Sequence, residues 1–205
     1  MNLKLAIYLY VIIGYSLAIA NAYVDFFRAL ETDNAAAVRV QLAGGFDPNT
    51  LSEGGQAPLY LAIKVESAKV VEVLLASPAV KIELANAAGE TPLMMAALRG
   101  RLDWTRQLVG MGARVRREGW TPLHYAASGP NAEVVRFLLD QGADINAIAP
   151  NGASPLMMAV RYGAEDSVRL LVARGADKRV RNSLNQSAVD YARIAGREFL
   201  LPLLQ

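Results

Sequence analysis

Gly119-Trp120-Thr121-Pro122-Leu123 is one of four copies of a short motif in this chain of 205 residues. Its prolines stand at positions 58, 92, 122 and 155, so the copies recur at spacings of 34, 30 and 33 residues. A repeat of roughly 20–50 residues is typical of stacked units that bury a shared core only against their neighbours. The spacing therefore predicts an all-α repeat solenoid. The other three copies are Gly55-Gln56-Ala57-Pro58-Leu59, Gly89-Glu90-Thr91-Pro92-Leu93 and Gly152-Ala153-Ser154-Pro155-Leu156.

Each copy has the residues that begin a helix. Thr or Ser suits the N-cap, where its hydroxyl accepts a backbone N–H, and Pro suits the first helical position. Gly100 and Gly163 are predicted to end the first helix of their repeats in the left-handed conformation that glycine adopts without strain. A second helix then carries apolar residues at helical spacing. We expect these second helices to end at Gly45, Gly112, Gly142 and Gly175.

The fourth repeat resembles the ankyrin repeat almost position for position. It reads Thr121-Pro122-Leu123-His124-Tyr125-Ala126-Ala127, then Val135-Arg136-Phe137-Leu138-Leu139 and Gly142-Ala143-Asp144-Ile145-Asn146. The resemblance covers the whole chain after residue 22. It implies four full repeats of two helices and a finger loop, with two degenerate caps, all in one domain over residues 23–205.

The caps need polar outer faces, because a solenoid end has no neighbour to cover it. Arg28 and Glu31 are expected to supply this face at the start of the stack. Pro202 should interrupt the last helix. The remaining expected cap residues are Arg193, Arg197 and Glu198 on the outer face, with Phe199, Leu200 and Leu203 folding back on the fifth repeat.

The first 22 residues indicate export. Lys4 precedes an apolar run from Leu5 to Ala20, and Ala20-Asn21-Ala22 is a small-x-small pattern of the kind that signal peptidases cut. We therefore predict a cleaved secretory signal at 1–22 and a periplasmic location. The alternative is an uncleaved anchor in the inner membrane, since the run is only slightly shorter than a bilayer span.

The residue types make an enzyme improbable. Cysteine is absent and His124 is the single histidine, so thiolate chemistry and His-based metal sites are excluded. The ankyrin resemblance implies that His124 bonds neighbouring turns. Asp47, Asp144 and Asp177 occupy equivalent finger positions and are interpreted as turn formers. Met94-Met95 and Met157-Met158 are interpreted as core. We predict no catalytic residue, no metal and no cofactor.

The resemblance implies a protein partner on the concave face, formed by finger tips and the exposed side of each first helix. Aromatic and arginine side chains carry much of the energy of protein interfaces. The predicted partner-binding residues are therefore Arg99, Arg117, Trp120, Arg161 and Tyr162. The alternative for each is an ordinary solvated residue, with Trp120 covering a neighbouring finger.

The finger between the third and fourth repeats is short, with seven positions from Gly112 to Gly119 against ten from Gly142 to Gly152. Two alternatives follow for the basic residues on this finger and on a later one. In the first, they form a positive rim that attracts an acidic partner. In the second, they are ordinary solvent-exposed residues at the site of a deletion. The residues are Arg114, Arg116, Arg117, Lys178, Arg179 and Arg181.

The sequence thus predicts an exported, monomeric, non-enzymatic protein that binds a protein partner. A net charge of +2 and the export signal disfavour nucleic acid. Two alternatives remain: an auxiliary or chaperone-like factor that supports an exported oxidant-defence enzyme, and a scaffold tethered to the membrane by Leu5 to Ala20.

Overall fold

The computed structural model describes residues 21–205, and these residues contain helices and loops but no strand. Residues 1–20 of the predicted signal segment at 1–22 lie outside them. Within residues 21–205 no helix is both long and apolar enough to span a bilayer. The helices are α1 (21–31), α2 (Ala35–Ala43), α3 (Pro58–Lys64), α4 (Ala68–Leu75), α5 (Pro92–Leu98), α6 (Leu102–Gly110), α7 (Pro122–Ser128), α8 (Ala132–Asp140), α9 (Pro155–Tyr162), α10 (Glu165–Ala173), α11 (Ala188–Ile194) and α12 (Leu201–Leu204).

The chain divides into two units, one ending at Lys81 and the other running from Ile82 to Gln205. The first unit holds the hairpins α1/α2 and α3/α4 in its described part. The second holds α5/α6, α7/α8, α9/α10 and a last pair made by α11 and α12. In the second unit the first helices α5, α7, α9 and α11 pack in one row, and α6, α8, α10 and α12 pack in another. The predicted helix pairs are confirmed, while a single domain over 23–205 stays a prediction.

The repeated motif begins the first helices in the predicted way. The hydroxyl oxygens of Thr91, Thr121 and Ser154 accept hydrogen bonds from the backbone N–H three residues later, at 3.3–3.4 Å. A proline follows each of them at the start of the helix. The same position before α3 is Ala57, which has no side-chain oxygen, so α3 lacks this cap.

Glycine ends the helices for two different reasons. Gly100 has φ +69°, and the glycines after the second helices, Gly45, Gly112, Gly142 and Gly175, have φ between +83° and +96°, as predicted. Gly163 does end α9, but the predicted left-handed conformation is wrong there, because Gly163 has φ −84° and ψ 177°. A Cβ at Gly163 would lie 1.9 Å from the carbonyl oxygen of Ala127. Close packing of α9 against the repeat before it therefore excludes a side chain here.

In three fingers, one side chain accepts a hydrogen bond from the backbone of the next finger. In the first unit Asn49 Oδ1 accepts the N–H of Lys81 at 2.7 Å. In the second unit Glu83 Oε1 accepts the N–H of Arg114 at 3.0 Å, and Asn146 Oδ1 accepts that of Asp177 at 2.8 Å. These bonds fix the spacing of successive fingers within each unit.

The C-terminal cap is partly as expected. Leu200 and Leu204 are buried, and α12 packs against α10 and α11. The expectation that Phe199 folds back is wrong, because its side chain is 60% exposed. The expectation that Pro202 interrupts the last helix is also wrong, because Pro202 lies in the first turn of α12, where its missing N–H costs no helical hydrogen bond.

Arg197 does more than cover the outer face of the cap. Its Nη1 donates to the carbonyl oxygens of Ala159, Val160 and Gly163 at 3.2, 3.0 and 2.8 Å. These carbonyls belong to the C-terminal end of α9, where a cation is favourable and backbone acceptors need partners. The side chain of Arg197 therefore joins the last cap to the fifth repeat.

Candidate protein-binding surface

His124 is fully engaged inside the second unit. Its Nδ1 accepts the backbone N–H of Thr121 at 3.2 Å, and its Nε2 donates to the carbonyl oxygen of Ala153 at 3.1 Å. The side chain is buried, and this burial lowers the pKa of His124 below its ordinary value. The neutral ring therefore joins the fourth repeat to the loop before the fifth, as the resemblance implied.

The finger carboxylates form turns and do not converge. Asp47, Asp144 and Asp177 each accept the backbone N–H two residues later at 2.9 Å. Within residues 21–205 no three His, Cys, Asp or Glu side chains are placed to share a metal ion. The interpretation of these aspartates as turn formers is confirmed.

A groove of about 390 Å³ lies along the row of first helices in the second unit. We call it the Trp120 groove. It opens on the surface made by the exposed sides of α5, α7 and α9, which we call the first-helix face. Six of its residues come from these three helices and one from a finger: Leu98, Trp120, His124, Tyr125, Ser128, Met158 and Tyr162.

The aromatic rings of the groove contact one another at right angles. The Trp120 ring lies edge-to-face on His124, with centroids 5.3 Å apart, and on Tyr125 at 6.4 Å. Trp120 therefore packs on the helix of its own repeat and leaves part of its surface in the groove. At the other side Tyr162 is 58% exposed.

Polar atoms in the groove wall already have partners within the fold. The Tyr125 hydroxyl donates to Glu90 Oε1 at 2.8 Å, and Ser128 Oγ donates to the His124 carbonyl oxygen at 2.9 Å. Burial, together with the Glu90 carboxylate, raises the pKa of Tyr125 far above its ordinary value. Tyr125 thus stays neutral, and the wall presents mainly carbon to anything that enters.

Arg161 stands beside the groove. Its guanidinium lies 5.2 Å from the centroid of the Tyr162 ring and 5.5 Å from that of Tyr191. Such cation–π contacts hold an arginine without neutralising its charge. Arg161 therefore presents a positive charge at the edge of the first-helix face.

The predicted partner-binding residues divide into two places. Trp120 and Tyr162 line the groove with Arg161 at its edge, and Arg99 is exposed directly after Leu98. Arg117 instead lines a separate cavity of about 800 Å³ beside the short finger. Its Nη1 is buried without a hydrogen-bond partner. Whether any of these five residues contacts a partner stays a prediction.

Five groove residues were not among the predicted partner-binding residues: Leu98, His124, Tyr125, Ser128 and Met158. Met94, Met95 and Met157 are buried, so the core interpretation is confirmed for them, but Met158 is only partly buried and reaches the groove. A signal was present, because Tyr125 and Met158 occupy the same position after Thr/Ser-Pro-Leu in successive repeats. That position faces the groove in both.

The basic finger residues are mostly used within the second unit. Arg114 pairs with Glu83 at 2.9 Å, Arg179 with Asp177 at 3.2 Å, and Arg181 with Asp190 at 3.7 Å. Arg116 donates to the Gly142 carbonyl oxygen, and Lys178 to that of Gln205. This pairing favours the second alternative, in which the basic residues are solvent-exposed side chains at the site of a deletion, over a positive rim that attracts a partner.

Comparison with known proteins agrees with the fold. The family model described as Ankyrin repeats (3 copies) matches residues 26–118 and 106–182. The chain is 35% identical over 132 residues to Ankyrin repeat and SAM domain-containing protein 6 of Rattus norvegicus, covering 62% of this chain and 15% of that protein. It is 31% identical over 163 residues to the B-cell lymphoma 3 protein homolog of Mus musculus, covering 76% and 36%. The chain therefore spans well under half of these curated relatives.

A solved structure is also similar. It is the predatory endopeptidase Bd0816 from Bdellovibrio bacteriovorus in complex with immunity protein Bd3460. One of its chains matches with a TM-score of 0.74 and 28% identity, over 88% of this chain and 96% of that one. Together with the repeated motif and the helix pairs, these matches show that the chain belongs to the ankyrin-repeat family.

Proposed function

We propose that this chain is a non-enzymatic module that binds a protein partner on the first-helix face of its second unit. The Trp120 groove carries the proposal, because it combines exposed aromatic surface with polar groups that are already satisfied internally. Aromatic and arginine side chains dominate the energy of protein interfaces. Trp120, Tyr162 and Arg161 place both types within one surface.

Site-specific photo-crosslinking tests this proposal. A photoreactive phenylalanine analogue replaces Tyr162 in one variant and Arg106 in another, and both are exposed to light in cells of the source organism. Arg106 is exposed on α6, in the second row of helices, and is the matched control. We expect a covalent protein adduct from position 162 only. Adducts of equal yield from both positions, or none from 162, would remove the support for this face.

We further propose that the protein acts after export, in the periplasm. The support is the leader itself: Lys4, the apolar run to Ala20 and the small residues that follow. The mass of the protein isolated from cells tests this step. A mature chain that begins at Tyr23 supports cleavage, whereas an intact leader in the membrane fraction favours the tethered scaffold.

A second candidate is an auxiliary factor whose partner is an exported enzyme. The support is the similarity to a chain of the endopeptidase–immunity protein complex. The chain and its Trp120→Ala/Tyr162→Ala variant are each added to a periplasmic extract and the recovered proteins are assayed for peptidase and peroxide-degrading activity. Recovery of one such activity with the parent chain alone supports this candidate. Equal recovery with both chains contradicts it.

A further inference from the structure

The Trp120 groove is suited to one kind of occupant, and this inference rests on the proposed function. We propose that it receives a bulky apolar side chain from an acidic segment of the partner, with a neighbouring carboxylate pairing with Arg161. Three properties of the groove support this choice: its wall, its size and the charges around it.

The wall favours an apolar group. The hydrogen-bonding atoms of Tyr125, Ser128 and His124 described above are engaged with Glu90 and with backbone atoms. A polar group entering between Leu98, Met158 and the aromatic rings would lose water without gaining those partners, at a cost in free energy. An apolar group gives up no hydrogen bond to water on entering, and the hydrophobic effect favours its burial.

The size favours a side chain over a free cofactor. A volume of about 390 Å³ is near the lower end of the roughly 300–1,000 Å³ seen for small-molecule pockets. The groove is also open at its edge, where Tyr162 is 58% exposed. One or two large side chains projecting from a protein surface fit such a shallow site.

The charges around the groove favour an acidic segment. Helices α5, α7 and α9 contain no Asp or Glu, whereas Arg99 and Arg161 stand at their C-terminal ends. None of the ion pairs within residues 21–205 involves Arg161, whose guanidinium lies over the rings of Tyr162 and Tyr191. Glu90 is the nearby acid, and its oxygens accept from Tyr125 and from Asn86 at 2.8 and 2.7 Å. A carboxylate arriving beside Tyr162 would therefore meet the positive charge of Arg161.

A charge-swap experiment tests the inference. Short synthetic peptides carry one Leu, Phe or Trp in a Gly-Ser background, flanked by Asp, by Lys or by Ser. Their affinities for the full chain are measured by fluorescence anisotropy. We expect the Asp-flanked peptides to bind best, with roughly tenfold loss on Arg161→Glu or Tyr162→Ala. Arg161→Glu should reverse the preference toward Lys-flanked peptides, and Arg106→Glu should change neither.

The outcomes separate this inference from the proposed function. The acidic-segment inference is overturned if peptides bind in the groove with no preference for flanking charge, or if no peptide binds. In either case, crosslinking at position 162 still tests the proposed binding face independently. Equal binding of Asp-flanked peptides by the parent and Tyr162→Ala chains also overturns it. Self-association of the chain that is abolished by Tyr162→Ala would show a second copy as the occupant and would likewise contradict it.

Discussion

The Nε2 atom of His124 lies 3.1 Å from the carbonyl oxygen of Ala153, which is 29 residues further along the chain. Because Nδ1 accepts a backbone N–H at the same time, the ring is held in its neutral form. The single histidine of the protein is thus a hydrogen-bonded link between two repeats.

This link predicts a pH dependence of stability. Since the folded pKa of His124 is lowered by burial, the unfolded chain binds a proton that the folded chain does not. The free energy of unfolding should therefore fall as the pH decreases below about 6.5, with a slope of at most about 1.4 kcal/mol per pH unit. Urea unfolding between pH 7.5 and 5 measures it. His124→Gln should lose this slope, and an unchanged slope would contradict the assignment.

Gly163→Ala should lower the free energy of unfolding more than a Gly→Ala substitution at another helix end. The new Cβ would lie 1.9 Å from the Ala127 carbonyl oxygen, so α9 must move, at a cost of about 3 kcal/mol. The control is Gly175→Ala, whose Cβ meets nothing within 4 Å and which should lose about 1–2 kcal/mol through its positive φ. Urea unfolding midpoints compare the two. Equal losses would show that the Ala127 contact is not limiting.

Arg197→Ala should destabilise the C-terminal cap. It removes the donor to three carbonyl oxygens at the end of α9, and charged hydrogen bonds of this kind contribute about 1.5–3 kcal/mol at most when partly buried. Arg193→Ala is the matched control, because Arg193 is exposed and lies 3.7 Å from Asp190, with an expected loss below about 1 kcal/mol. Hydrogen exchange of α9 amides should rise in Arg197→Ala alone. Protection equal to that of the parent chain would refute the capping role.

Two tryptophans allow the groove to be monitored directly. Trp104 is 1% exposed, whereas Trp120 is partly exposed in the groove wall. Acrylamide should therefore quench only the emission of Trp120, and Trp120→Phe should leave a spectrum that is nearly unquenched. If Trp104→Phe removed the quenched component instead, Trp120 would not be the solvent-exposed tryptophan.

The sequence predicted those parts of the fold that depend on local chemistry. Ser or Thr before Pro-Leu is a local signal for the start of a helix, so the caps at Thr91, Thr121 and Ser154 could be predicted from single motifs. The left-handed glycines were equally local. The conformation of Gly163 was predicted wrongly because glycine is required there by close packing against Ala127 of another repeat. A local sequence pattern does not contain that contact.

The candidate site was predicted less completely, and for a similar reason. Trp120 and Tyr162 were predicted because the resemblance places them at a finger tip and on the exposed side of a first helix, and because both are aromatic. Met158 was assigned to the core. The spacing of apolar residues along a helix does not distinguish a side chain in the core from one that borders a groove. The pairing of Arg114 with Glu83 joins residues 31 positions apart, so choosing between a positive rim and exposed residues that fill a deletion required the structure.

The finger bonds made by Asn49, Glu83 and Asn146 have a mechanical consequence. Each ties one loop to its successor through a single side chain, and in repeat proteins each unit depends only on its neighbours. Under a pulling force, such ties give way one after another. When the protein is stretched, we therefore expect a series of small unfolding steps in place of a single large one. Each step should increase the contour length by about that of one repeat.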